Sequence, residues 1–223
     1  MAVYPGHIKT VIWEHVSHAE MASAFEGGFS YASQGLLLSD HGPTHVDASS
    51  HLDPSADAPS IDQMPLSTFY GPGTCVDVSA AEPRTDIGPD ELDRAVAAAG
   101  DLLQEGDALL LHTGTHARYG GTPEYSREYP GLSAQAAEWI VQRGVRVFGV
   151  DSPSPDNPAS PTYPVHMMCR RTGLTHYENL TNLDRVVGRR FTFIGLPLLI
   201  RGGTGSPVRA IAVLEGETSD GKT

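Results

Sequence analysis

"SAQAAEWIVQRGVRVFGVD", residues 133–151, changes its period halfway along, and that change sets the fold class. Ser133 stands where a helix N-cap belongs, "AQAAEWIVQR" follows as a helix, and Gly144 closes it. "VRVFGV" (145–150) then reads as a buried strand that ends at Asp151. The preceding segment repeats the pattern. "PDELDRAVAAA" carries Pro89 in a first turn, sets Leu92, Val96 and Ala99 on one face, and meets Gly100 where a C′ glycine belongs. "DALLLH" (107–112) follows as a continuous apolar strand. Shorter strands are expected at "IKTVIWEHV" (8–16), "GLLL" (35–38) and "TCVDVS" (74–79), each bounded by Gly, Pro or Ser. The last third returns to strands in "FTFIGLPLLI" (191–200) and "VRAIAVLE" (208–215). Between them "RGGTGSP" (201–207) is expected to be a hairpin connection rather than an anion-cradling loop. The result is an α/β core with a second β layer.

The chain has 223 residues, which makes one domain spanning 1–223 the default, with roughly 70% of the unfolded surface buried. Its net charge of −12, with no basic block to offset it locally, excludes nucleic acid and anionic membrane as partners. Cys75 and Cys169 are too few for a disulfide framework and read as core thiols in a reducing compartment. The start of the chain lacks a basic region followed by an apolar run, and no stretch is long enough to span a bilayer, so a cytoplasmic protein is expected. Trp13, Phe25 and Phe29 are expected to be buried in the core or an interface.

"DHGPTHVDASSHLDP" (40–54) puts three of the chain's ten histidines and three aspartates into fifteen residues. Pro43, between His41 and His45, forbids a helical pair there, because it would lose a helix hydrogen bond and clash with the preceding turn. His45, Asp47 and His51 lie at even separations, so an extended chain would bring them to one face, with Val46 and Ala48 on the other. One reading is a polar loop whose histidines cap turns. The density of imidazole and carboxylate favours the other, a metal site.

"HGPTHVDASSH" resembles the His-x-Gly-Thr-His-x-Asp-x-Pro-x-His signature of the metal-dependent cyclase family, which includes bacterial kynurenine formamidase (arylformamidase) and isatin hydrolase. "FGVDSPSPD" (148–156), "HYENLTNLD" (176–184) and "LPLLIRGGTGSPVRAIAV" (196–213) are similar to the family's other blocks, in the same order. The resemblance implies His41, His45 and Asp47 as first metal ligands, His51 as the catalytic histidine, and His166 with Glu178 as the second ligand pair. It also implies a swivelling β/β/α fold with a mixed sheet, and a homodimer or homotetramer. Pro43 and Ser49 stand where the family has Gly and Pro, which puts a different backbone path between the ligands. Met1 lies three residues before Tyr4, so either the strand that family members carry ahead of the segment matching "VYPG" is missing or the start site is misplaced.

Five N/O donors without a thiolate exceed what one catalytic zinc uses while keeping a position open. Either two ions share a bridging carboxylate, about 3.5–4 Å apart, or one higher-coordinate ion such as Mn²⁺ uses part of the set. Zinc, one or two per chain, is the expected ion, with manganese as the alternative. His51 would carry a proton to the leaving group. The expected reaction is hydrolysis of a small amide, formamide, lactam or lactone, with a cyclase or dehydratase and a non-catalytic binding member as rivals. His112 and His116 in "LLLHTGTHARYG" are expected to serve the substrate pocket or a loop rather than a metal. Asp151 either orients the pocket or caps a turn.

Overall fold

The computed structural model describes residues 5–7 and 9–214. Strands β1 (Val11–Val16) and β2 (Ser33–Leu37) pair antiparallel as a separate arm. They flank helix α1 (His18–Ala22), whose entry is a capping box between Ser17 and Glu20. The body follows as β3 (His45–Asp47), α2 (Ser49–Leu52), β4 (Tyr70–Asp77), β5 (Asp86–Ile87), α3 (Pro89–Ala98), β6 (Ala108–His112) and α4 (Thr115–Tyr119). It continues through β7 (Gly131–Leu132), α5 (Ala134–Gln142), β8 (Val147–Val150), α6 (Pro164–Thr172), β9 (His176–Glu178), β10 (Arg190–Ile194), β11 (Gly205–Pro207) and β12 (Ile211–Val213).

Eight of these strands form one mixed sheet in the order β11-β3-β9-β8-β6-β4-β10-β12. Its centre, β4, β6, β8 and β9, is parallel, and each crossover carries a helix: α3, α5 and α6 in turn. The Ser133 side chain caps α5 through the Ala136 amide, and Gly100 takes a positive φ of 77° just past α3, both at the positions the sequence assigns them. Leu109, Leu111, Phe148 and Val150 pack under α3, α5 and α6. Their strand neighbours Ala108, Leu110 and Val147 face the other way, into a second cluster with Val46, Tyr177 and Phe193. That period-two division explains why "DALLLH" is apolar throughout.

The second β layer is the same sheet curling back. β11 and β12 are its opposite edges, yet only residues 208–210 join Pro207 to Ile211. Such a link spans at most about 14 Å, so the edges must approach. Tyr177 crosses the interior, its hydroxyl donating to the Gly195 carbonyl at 2.8 Å.

Several expectations change. β10 and β12 do pair antiparallel, but "RGGTGSP" is not their hairpin; its last three residues are β11, paired with β3 at the far edge. "FTFIGLPLLI" is a strand only to Ile194. Gly195 passes so close to the Tyr177 ring that a Cβ would lie 2.6 Å from it, and Pro197 cannot donate to a ladder. β4 begins at Tyr70, before the expected Thr74; Pro72 is tolerated because its partner is Thr192 on one side only, the pairing with β6 starting at Gly73. Ile8 and Glu215 of the expected strands lie outside the described residues. Trp13, Phe25 and Phe29 are 49%, 42% and 59% exposed, so they are not in the core, the alternative of an interface being a matter between chains. Among the described residues, the strands of the arm pair only with each other. Cys75 and Cys169 are buried free thiols, and burial pushes both up from the ordinary thiol range.

Candidate metal centre

β3 and β9 pair with His45 opposite Glu178 and Val46 opposite Tyr177. Val46 and Tyr177 occupy the inner cluster, so alternation sends His45, Asp47, His176 and Glu178 to the helix face. Four polar side chains thereby converge from two tripeptides, His-Val-Asp and His-Tyr-Glu. His176 was not singled out in the sequence, although its parity with Glu178 repeats that of His45 with Asp47. It is fully buried, stacked on Phe148 at 5.3 Å.

His166 arrives from the first turn of α6, where the buried Asp156 fixes it. Asp156 accepts from the Val165 and His166 amides at 2.8 and 3.1 Å and from His166 Nδ1 at 2.5 Å. One carboxylate therefore satisfies two helix N-terminal amides and orients an imidazole. Asp156 too escaped the sequence reading, since nothing local links it to a residue ten positions on.

His51 does not lie on an extended strand. β3 ends at Asp47, and Ala48 opens the single helical turn α2, which swings His51 back over the strand end. The even-spacing argument therefore fails beyond Ala48, yet the residue still reaches the site. His51 Nε2 is 4.0 Å from Asp47 Oδ2, and its ring lies 4.0 Å from that of His41. His41 Nδ1 is 2.8 Å from Asp47 Oδ1, while its Nε2 meets the Thr204 hydroxyl at 2.9 Å. Thr204 Oγ1 in turn donates to Asp40.

Two donor groups emerge among the described residues: Asp47, His166, His176 and Glu178, and His41, Asp47 and His51, each gathered within 4.8 Å and sharing Asp47. His45 Nε2 sits 3.4 Å from both Asp47 Oδ1 and Glu178 Oε2. His176 Nε2 is 3.5 Å from Asp47 Oδ2 and 3.2 Å from Glu178 Oε1, and His166 Nε2 is 3.7 Å from Glu178 Oε1. Donors about 2.0–2.2 Å from a tetrahedral ion stand roughly 3.3–3.6 Å apart. The His176–Glu178 spacing is a hydrogen bond at its long limit, and the 3.4–3.5 Å spacings of His45 and His176 to the carboxylates match the edges of a coordination shell.

Proton accounting points the same way. His45 Nδ1 donates to the Pro43 carbonyl at 3.0 Å, so Nε2 aims its remaining valence at two carboxylates. Only a cation, a proton or a metal, makes that arrangement favourable. Burial by itself would lower the His45 pKa, but the Asp47 hydrogen bond and the charges of Glu178 and Asp47 raise it. His166 behaves alike: burial opposes, while Asp156, Glu178 and Asp47 raise it. Asp47 stays well below the carboxylate range despite its burial, held there by His176, His41 and His45. The donor set thus fits a divalent metal for which protons stand in.

A pH dependence follows. A histidine whose folded pKa is raised contributes stability fully below its unfolded value, about 6.5, and loses it as pH rises through the folded value. The metal-free chain should therefore melt at progressively lower temperature above pH 6.5. With metal present the slope should reverse, because the ion needs neutral imidazoles. Melting curves in chelator and in Zn²⁺ between pH 6 and 8 test this, and parallel slopes would overturn the cation-site assignment. Asp156→Asn should keep an acceptor for the α6 amides yet lower metal affinity roughly 10–100-fold. Competition with a chelating dye measures it, and unchanged affinity would reduce Asp156 to a helix cap.

His112 and His116 join neither donor group. His112 Nδ1 lies 3.2 Å from Asp77 Oδ1, and His116 stands edge-on to Tyr125 at 5.8 Å. Asp151 touches none of the clustered histidines. It accepts from the Thr113 amide at 2.7 Å, the Thr113 hydroxyl at 2.6 Å and the Gly114 amide at 3.0 Å, pinning the turn after β6, where Gly114 has a φ of 73°.

Residues 4–157 match the Cyclase family model. A kynurenine formamidase of Bacillus mycoides (strain KBAB4) is 33% identical over 176 residues, which cover 79% of this chain and 77% of the relative. The kynurenine formamidase of Bacillus anthracis is 32% identical over the same shares. Among solved structures, isatin hydrolase A from Labrenzia aggregata, bound to benzyl benzoate, superposes with a TM-score of 0.80 at 24% identity, covering 96% of this chain and 88% of that one. Isatin hydrolase A from Ralstonia solanacearum gives 0.80 at 25% identity, with 96% and 86% covered. With the family model spanning well over half of the sequence and the curled mixed sheet shared with the solved structures, the chain belongs to the Cyclase family.

Proposed function

We propose that the protein is a metal-dependent hydrolase that opens the C–N bond of a small aryl formamide or cyclic amide. One observation carries the reading: two donor groups share the buried Asp47 carboxylate, and the smaller of them includes a half-exposed histidine, His51. The relatives named for formamide hydrolysis support it. His41, His45, Asp47, His166, His176 and Glu178 would hold one or two zinc ions, with manganese as the alternative. An ion bound there supplies Lewis-acid polarisation of the carbonyl and lowers the pKa of water.

The chain's own residues do the rest. His51 has its pKa lowered by burial and by the neighbouring His41 and His166 charges, against an opposing pull from Asp47. It is therefore neutral at pH 7, ready to accept a proton at Nε2 and return it to the leaving nitrogen. Asp47 and Glu178 fix the imidazoles around them, and Asp156 holds His166 with its Nε2 facing the site.

The closing experiment is turnover of formanilide and isatin with Zn²⁺ or Mn²⁺ in ¹⁸O-labelled water. Label in the carboxylate product supports hydrolysis, whereas turnover without label favours a cyclase or dehydratase. We further propose that residues 1–223 act as one catalytic unit, in the cytoplasm, as a homodimer or homotetramer. The exposed arm supports the assembly, with Ile12, Trp13, Phe29, Leu36 and Leu37 all open to solvent on one short hairpin. Mass in solution by light scattering tests it, and a monomer at micromolar concentration would overturn it. The net charge of −12 supports a small-molecule substrate over nucleic acid, and no helix among the described residues is long and apolar enough to cross a membrane.

A further inference from the structure

Tyr163 adopts φ 47° and ψ 58°, the left-handed region, at the N-cap of α6. That conformation costs a bulky side chain of this kind free energy that glycine would not lose. The other described non-glycine residues with positive φ are Arg84, Asp101, Asn179 and Asn182, so Tyr163 is the one aromatic among them. The strain is not repaid by core burial, because the residue is 54% exposed. Its side chain does not cap the helix either.

What the conformation does achieve is placement. The Tyr163 ring stands edge-on to His166, with centroids 6.0 Å apart and planes at 87°. His166 is the partly exposed member of the donor group that also holds Asp47, His176 and Glu178. Tyr163 therefore borders the solvent-facing side of the cluster. Tyr129 is buried, and burial first and then the charges of Glu178, Tyr163 and Asp156 push its phenol up from the ordinary range.

We propose that Tyr163 is the specificity-determining residue of the site, presenting an exposed aromatic surface on which the arene of an aryl amide or aryl formamide stacks while its carbonyl reaches the donor cluster. The proposal rests on the hydrolase reading for its reaction but not for its recognition. An offset or edge-to-face arene at roughly 4.5–7 Å from the exposed part of the Tyr163 ring would stand beside His166, whose own ring is 6.0 Å from that of Tyr163. An alkyl amide gains no comparable contact.

The test compares wild type, Tyr163→Phe, Tyr163→Ala and Tyr163→Gly on N-phenylformamide and N-butylformamide with the metal-loaded protein. The aryl-over-alkyl ratio of kcat/KM should fall roughly 3–10-fold in Tyr163→Ala and Tyr163→Gly, through KM, and survive in Tyr163→Phe. Tyr163→Gly should also melt no lower than wild type and above Tyr163→Ala, because glycine takes the left-handed conformation freely. Aniline and butylamine binding by calorimetry separates the two levels. If wild type hydrolyses neither amide but Tyr163→Ala still loses aryl selectivity in binding, the reaction reading fails and the recognition role stands. An aryl preference preserved in Tyr163→Ala, in both turnover and binding, overturns the proposal.

Discussion

Replacing His51 by alanine is expected to lower turnover roughly 10²–10⁴-fold, the usual contribution of a positioned general acid or base, while metal content stays at the wild-type level. The expectation rests on placement. His51 rides on a single helical turn after β3, its Nε2 4.0 Å from Asp47 Oδ2, and its side chain is 38% exposed, where substrate and water can reach it. The same turn sets its ring against His41, so His51 also completes the smaller donor group. Metal content and turnover measured on one His51→Ala sample separate these roles. Loss of both together would make His51 a ligand. Near-normal turnover would show that another group carries the proton.

Asp47→Asn is expected to remove metal and activity together, the largest combined loss of any single change. Asp47 is buried, belongs to both donor groups and lies against His41, His45 and His176. The amide keeps the shape but removes the charge that two ions would share, and it turns an N–H₂ donor toward imidazole nitrogens. His112→Ala, outside both groups, should retain metal and turnover. Elemental analysis with a thermal melt on each variant checks the pair. An Asp47→Asn protein that keeps its full metal content would refute the shared-carboxylate assignment, as would a His112→Ala protein that loses it.

The sequence by itself determined the α/β class, the limits of α3 and α5 to within a residue, and part of the site. Caps and periods are local: Ser133, Pro89 and Gly100 act on neighbouring amides, and the change from helical to strand spacing at Gly144 needs no distant partner. His45 and Asp47 were legible for the same reason, because alternation on a strand fixes their common face. His176 obeyed the identical rule beside Glu178, and only the absence of a denser cluster around it hid the signal.

What the tertiary structure decided is everything that depends on pairing across the chain. The register of β3 on β9 joins two tripeptides more than 120 residues apart into one face, and a buried aspartate ten residues upstream aims His166 at it. "RGGTGSP" looked like a hairpin because its glycines permit one. The competing pairing won, since β11 satisfies the backbone of β3 at an edge that would otherwise lie open over the site. The arm shows the converse. Trp13, Phe25 and Phe29 are apolar enough for a core, yet burial depends on what another surface offers, and the described residues leave each of them about half exposed.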